Sequence, residues 1–272
     1  MGDTRPTSDF HARNFSTADL ARMVAALDTQ DAAQGVRRLR AWTQTALDPR
    51  PGERVIDVGS GTGSQTLALA AAVAPSGEAL GVEANPALRE VAEQRAAAAG
   101  SPARFLDGDA LALPVPDATV DVVWCERVLQ HLSEPDKAVG EIARVLRPGG
   151  RVALLDSDWG TALLHPGDPE AVAALTAGVL SVAANPYSGR RLAGQLTGAG
   201  LVIDDQGSQA LIQDNTTVAW PLVHMLGDST VRRGLMTEAQ RDRLYADLAE
   251  AAEHGALHMS VTMFAVVAHR PA

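Results

Sequence analysis

The chain has 272 residues, 46% of them hydrophobic, and a formal net charge of −10. That length and apolar content suit one large α/β domain, or one with a small appendage, and are too hydrophobic for a disordered chain. The arginine pairs Arg37-Arg38, Arg190-Arg191 and Arg232-Arg233 are surrounded by acids and form no basic stripe, so a nucleic-acid or other polyanionic partner is disfavoured.

No apolar run approaches the roughly 20 residues that span a bilayer, so no membrane partner is expected. The start, M-G-D-T-R-P-T-S-D-F, lacks the apolar stretch of a signal peptide, and Pro6 breaks a myristoylation pattern. Cys125 stands alone and excludes an internal disulfide framework. A cytoplasmic protein is expected. Lys137 is the only lysine, a bias expected of a bacterium with GC-rich DNA.

Taken in chain order, residues 1 to 15 read as loose. Ser16-Thr17-Ala18-Asp19 opens a helix carrying Leu20, Met23, Val24 and Leu27 at helical spacing. A second helix runs from about Ala32 to Leu47, and Asp48-Pro49-Arg50-Pro51-Gly52 stops it. Strands and helices then alternate: strand Val55–Val58, helix Gln65–Val73, strand Ala79–Glu83, helix Pro86–Ala99, strand Ala103–Leu106 and strand Val120–Trp124. Ser133-Glu134-Pro135-Asp136 predicts a capping box. The helix after it turns Val139, Ile142, Ala143 and Leu146 inward, Pro148-Gly149-Gly150 ends it, and Val152–Leu155 is a fifth strand.

Beyond Asp156 the rhythm changes. A helix is predicted from about Asp168 to Ala184, short strands at Leu201–Ile203 and Ser208–Ile212, helices over roughly 216–229 and 237–253, and a closing β-branched strand in H-M-S-V-T-M-F-A-V-V-A-H-R. The order demands a mostly parallel, doubly wound sheet with helices on both faces.

The stretch R-V-I-D-V-G-S-G-T-G-S-Q-T-L-A-L-A, Arg54 to Ala70, joins a buried strand to a helix through Gly59, Gly61 and Gly63. Alternate glycines let a backbone turn sharply and approach a ligand, and the next helix offers free N–H groups. The dinucleotide pattern G-x-G-x-x-G does not fit: from Gly59 the sixth position is Ser64, and from Gly61 it is Thr66. The pattern present is acidic-x-G-x-G-x-G, led by Asp57.

D-V-G-S-G-T-G resembles the first motif of the class I S-adenosylmethionine-dependent methyltransferases. The likeness continues through Glu83, 20 residues after Gly63, then Gly108-Asp109-Ala110, Leu113-Pro114-Val115-Pro116-Asp117 leading to D-V-V-W-C-E-R-V-L-Q-H-L, and R-V-L-R-P-G-G-R-V. These elements cover about residues 50 to 158 in the manner of the UbiE-like small-molecule branch. The resemblance implies a Rossmann-like seven-stranded sheet with an antiparallel last strand, S-adenosyl-L-methionine as cofactor and a small organic methyl acceptor. Its cofactor residues would be Asp57, Gly59, Ser60, Gly61, Gly63, Glu83, Ala84, Asp109, Ala110, Cys125, Glu126 and Arg127. Glu83 would take both ribose hydroxyls, as suits one carboxylate facing two vicinal donors. Asp109 reads the adenine or closes an Asx turn. Asp57 orients the cofactor or braces the loop.

Methyl transfer draws much of its rate from alignment, and a base is needed only where the acceptor must lose a proton. The reacting groups should lie beyond the fourth and fifth strands. There His131 is a base, a positioner or a structural imidazole, and Asp156 takes a proton, pairs with an amine or caps. Asp156 and Asp158 flank Ser157 and share a side of the strand. Some relatives carry a second His where this chain has Gln130. Trp159 floors a pocket or joins the core. Cys125 reads as a small buried thiol. His254 and His258 are interrupted by Gly255 and suggest no metal site.

The expected layout is a single unit: residues 1–48 a helical lid, 50–158 the cofactor half, 159–272 the acceptor side. There the insertion of about 166–186, with N-P-Y, and Trp220, Leu222, His224, Met225 and Leu226 line a pocket or a helix core. A homodimer is left open.

Overall fold

The computed structural model describes residues 17–182, 184–213 and 220–272. The loose start and the opening of the helix expected over 216–229 lie outside the described residues.

Seven strands form one sheet: β1 (Arg54–Val58), β2 (Glu78–Glu83), β3 (Arg104–Asp107), β4 (Val120–Glu126), β5 (Leu146–His165), β6 (Val202–Gln213) and β7 (His258–His269). The spatial order is β3-β2-β1-β4-β5-β7-β6. β1 to β5 run parallel, while β7 is antiparallel to both β5 and β6. The α/β class and the antiparallel last strand expected from the sequence are what the chain adopts. The order turns back on itself between β1 and β4, which opens a crevice beyond their carboxyl ends.

The central strands are buried on both faces, which explains their near-continuous apolar runs. Alternate residues feed two cores. Ile56, Val58, Val123, Cys125, Val152 and Leu154 face α5 (Pro135–Val145) and α7 (Ser188–Gly198). Val55, Val122, Trp124, Ala153 and Leu155 face α2 (Gln34–Leu47) and α3 (Ser64–Val73). This alternation decides where polar strand ends point: Glu126 follows Trp124 toward α2, and Asp156 follows Leu154 toward α7.

Four expectations are corrected. The helix after Ser133 has no capping box: α5 begins at Pro135, and its N-cap Glu134 makes no side-chain cap hydrogen bond. Pro148-Gly149-Gly150 does not separate helix from strand. α5 stops at Val145, β5 begins at Leu146, and the Pro-Gly-Gly turn is a bulge within it, with pairing resumed at Arg151. β5 also continues past Leu155 to His165, with a second irregularity between Asp158 and Leu163. The two short strands near residues 201–212 are one, β6, which pairs along β7 through an irregularity at Ile203/Asp205.

α1 (Thr17–Ala32) precedes α2, and α4 (Pro86–Ala99) follows β2. α6 (Pro169–Val182), α8 (Trp220–Arg232) and α9 (Glu238–Glu253) build a third core around Leu175, Val223, Leu226, Leu244 and Leu248. Trp220 packs against it, whereas His224 and Met225 are exposed; the side chain of Leu222 lies outside the described residues. His254 ends α9 with Nδ1 on the Glu250 carbonyl, and His258 opens β7. No described helix is long and apolar enough to cross a membrane.

Candidate active site

β1 delivers the chain to Gly59, where φ is +69°, and a side chain there would collide with Val128. The N–H groups of Gly59 and Ser60 both donate to the Val82 carbonyl, tying the turn to β2. Gly63 caps α3 with φ +84°, and a Cβ there would lie 2.8 Å from Phe105 and 2.9 Å from Ala92. Both positions therefore demand glycine for conformation and for space.

Four carboxylates ring this turn, three on strands β1, β2 and β4 and one, Asp31, on α1. Glu83 Oε2 accepts the Gly61 N–H at 2.8 Å, and Oε1 accepts the Asn85 N–H at 2.8 Å. Asn85 in turn caps α4 by accepting the Ala87 N–H. Ala84, between the acceptor Glu83 and the donor Asn85, is half-buried. Asp57 accepts the Thr66 hydroxyl at 2.6 Å, which braces the turn from below. Burial pushes Asp57 up to about 7, against the pull of the Thr66 hydrogen bond.

Glu126 accepts Arg40 Nε at 2.7 Å and the Trp124 indole N–H at 3.2 Å. Arg40 also donates to Asp31 at 2.7 Å. Arg127, in the left-handed region at φ +57°, donates to Asp31 at 2.9 Å. Such a backbone is uncommon for a side chain of this size and is seen where surroundings enforce it. Burial would raise the Asp31 carboxyl, but Arg40, Ser64 and Arg127 hold it below the usual range.

These contacts seat α1 on the glycine turn. Asp31 accepts the Ser64 hydroxyl, Asp28 takes Arg95 of α4 at 2.8 and 2.9 Å, and Leu27 faces Gly61. The end of α1 thus lies against the glycine turn. Asp31, Arg40 and Asn85 were not singled out in the sequence. Their partners sit on other elements, so no local spacing betrays them.

Asp109 closes an Asx turn, accepting the Leu111 N–H at 2.9 Å, and is exposed beside half-buried Ala110. Cys125 is buried, and burial, then the Asp156 charge, pushes its thiol well up. His131 is half-buried and ends the 3-10 turn Leu129–His131 beyond β4.

Asp156 is fully buried, and its oxygens accept the Gln130 N–H (2.9 Å), the Ser157 N–H (2.9 Å) and the Ser188 hydroxyl (2.8 Å). It joins the 3-10 turn to the start of α7. Asp158, on the same side, is likewise buried and takes Arg190 and the Gly160 N–H. Burial raises Asp156 to about 7 despite three hydrogen bonds. A carboxyl raised in the fold adds stability below its unfolded pKa and loses it as pH rises through the folded one. The destabilisation caused by Asp156→Asn should therefore shrink between pH 5 and 8, measured by urea unfolding. A cost constant across that range would refute the raised pKa.

The residues present fit a polar ligand with hydroxyl and amino groups. Ser60 Oγ, Gln65 Nε2 and Asn85 Nδ2 are buried without a hydrogen-bond partner, Glu126 Oε1 has only the ion pair to Arg127 Nε at 3.3 Å, and all four belong to the turn or to the strand ends and helix starts beside it. Natural structures rarely leave such atoms unpaired except where a ligand or water completes them.

Residues 56–154 match the family described as "Methyltransferase domain". Demethylmenaquinone methyltransferase of Thermus thermophilus is 38% identical over 121 residues, 44% of this chain and 54% of that protein. A 37.1 kDa protein of transposon TN4556 in Streptomyces fradiae is 35% identical over 182 residues, 66% of this chain and 52% of its own. The chain thus spans about half the length of these relatives. Among solved structures, the YcgJ protein of Bacillus subtilis aligns over 86% of this chain and 98% of its own at 25% identity, with a TM-score of 0.57. The [4+2]-cyclase SpnF shares the fold at 22% identity, over 87% and 81% of the two chains, with a TM-score of 0.55. Residues 56–154 thus match a methyltransferase domain, and together with the seven-stranded sheet and the glycine turn the relatives support a class I S-adenosylmethionine-dependent methyltransferase of the UbiE-like kind.

Proposed function

We propose that the protein transfers a methyl group from S-adenosyl-L-methionine to an O, N or C atom of a small organic molecule, by in-line displacement. The observation that carries this reading is the glycine turn with Glu83 at the tip of β2 and three buried polar atoms without a hydrogen-bond partner beside them. When bound, the cofactor supplies an electrophilic methyl group on a cationic sulfur.

In this reading the backbone of Gly59, Ser60, Gly61 and Gly63 accommodates the amino-acid end, and Asp57 braces the turn beneath it. Glu83 keeps its two backbone N–H bonds and uses its remaining lone pairs for the ribose hydroxyls. Ala84, Asp109 and Ala110 flank the adenine, and Cys125, Glu126 and Arg127 form the wall toward β4. Where an acceptor must lose a proton, His131 is the candidate. Asp156 positions the turn that carries it, through the Gln130 N–H.

Residues 1–48 act as lid, 50–158 as cofactor half and 159–272 as acceptor side of one bacterial, cytoplasmic unit. A non-methylating cyclase or ligand-binding role is the second reading, favoured by Gln130 standing where some relatives carry a base. Incubation of purified protein with methyl-labelled cofactor and a metabolite extract separates the two. Label in a small molecule is expected; cofactor binding with no labelled product would transfer the assignment to the second reading.

A further inference from the structure

Gln130 is only 5% exposed, yet it is more than filler. Its backbone N–H donates to Asp156, its carbonyl accepts the Asn185 N–H at 2.9 Å, and its Oε1 accepts the Trp159 indole N–H at 2.9 Å. An indole N–H can only donate, so the amide oxygen must face Trp159, and the NH2 group faces away. No described residue accepts from that NH2 group. Nε2 is not closed off from solvent, so its N–H groups are open to an accepting ligand, which Leu or Met in the same volume would not offer.

Its place in the fold says what could accept. Gln130 follows by two residues Val128, the side chain that a substituent on Gly59 would strike. It lies beyond the carboxyl end of β4, beside His131, on the side of the sheet switch where ligands of such sheets bind. Two half-buried aromatic residues stand nearby. Trp159 donates its backbone N–H to Pro186, and a Cβ on Gly160 would lie 2.7 Å from the Tyr187 ring.

We propose that Gln130 Nε2 donates to an oxygen of the methyl acceptor, so that the protein selects acceptors presenting a carbonyl or phenolic oxygen beside apolar surface. This rests on the methyltransferase reading above. Trp159 is a positioning residue: its indole N–H fixes which end of the amide meets the ligand.

The test uses the full chain saturated with S-adenosylhomocysteine and two probes of equal ring size. Acetophenone offers only an accepting oxygen, and benzylamine only a donating cation. In the wild type, acetophenone should shift the Gln130 side-chain amide pair in 15N–1H spectra and bind about tenfold tighter than benzylamine. Gln130→Glu keeps an oxygen for Trp159 and turns the free end into an acceptor, so the order of the two probes should reverse. Trp159→Phe frees the amide to rotate and should weaken the wild-type preference.

S-adenosylhomocysteine affinity should stay within about twofold in both variants, because neither residue touches the glycine turn. An unmoved Gln130 amide pair, or an unreversed order in Gln130→Glu with normal S-adenosylhomocysteine binding, overturns the proposal. Should the Glu variant not fold, the amide shift in the wild type decides alone. Failure of the wild type to bind S-adenosylhomocysteine would instead overturn the methyltransferase reading beneath it.

Discussion

Arg40→Leu is expected to destabilise the protein by about 3 kcal/mol, the lower part of the range for breaking a buried ion pair by removing one partner. The Glu126 side chain is 5% exposed and Arg40 14% exposed, with Nε and Oε2 2.7 Å apart. Removing the guanidinium leaves a carboxylate in a low-dielectric site with the Trp124 indole at 3.2 Å and Arg127 Nε at 3.3 Å. Those two contacts temper the loss without abolishing it.

Asp31 loses a partner in the same step, so the seat of α1 on the glycine turn loosens as well. Arg40→Leu combined with Glu126→Leu removes both charges and should recover most of the stability, because the penalty lies in the unpaired ion rather than in the missing bridge. Urea unfolding at pH 7 measures both. A single variant costing under about 1 kcal/mol would mean that water reaches Glu126 freely, contrary to its burial.

Glu83→Ala is expected to weaken cofactor binding by roughly 10- to 100-fold, corresponding to about 1–3 kcal/mol for lost hydrogen bonds to a charged group. Two effects add. The ribose hydroxyls lose their acceptor, and the Gly61 and Asn85 N–H groups lose theirs, so the turn and the start of α4 are no longer tied together. Glu83→Gln should be nearly as damaging despite equal size. One end of an amide is NH2, and in either orientation it would face a backbone N–H that now has no acceptor. Calorimetric titration with S-adenosylhomocysteine reads both variants. Affinity unchanged within twofold would take Glu83 out of the site.

The sequence revealed residues 50–158 more fully than residues 159–272, for a physical reason. β1, β2, α3, α4 and β4 are each bounded by Pro, Gly or a charged residue, and their apolar residues recur at strand or helix spacing, so their burial is written locally. α4 matches its expected bounds, from Pro86 to Ala99. β5 was read as ending at Leu155 because Asp156, Ser157 and Asp158 break the apolar run. They are buried all the same, since Ser188 and Arg190 of α7, more than 30 residues on, satisfy the two carboxylates. No window along the strand contains that information.

β6 looked like two strands because Gly207 interrupts it. The structure packs the Trp42 ring over that glycine, 2.9 Å from where a Cβ would stand, and carries the ladder through. The Ser133 capping box failed because Pro135 takes the first helical position and leaves the cap to Glu134. At the site, the glycine spacing and Glu83 were legible as a pattern, whereas the Arg40–Asp31–Arg127 network joins three separate elements and becomes visible only when they are packed.

The central claim is that the crevice between the glycine turn and the tip of β2 receives an adenosyl amino acid. A crystal of the full chain grown with S-adenosylhomocysteine tests it most directly. Density for the ligand is expected across Gly59–Gly63 with the ribose hydroxyls on Glu83. Density placing the ligand elsewhere, or a crystal grown with NAD showing its pyrophosphate on the turn while S-adenosylhomocysteine leaves it empty, would contradict the assignment.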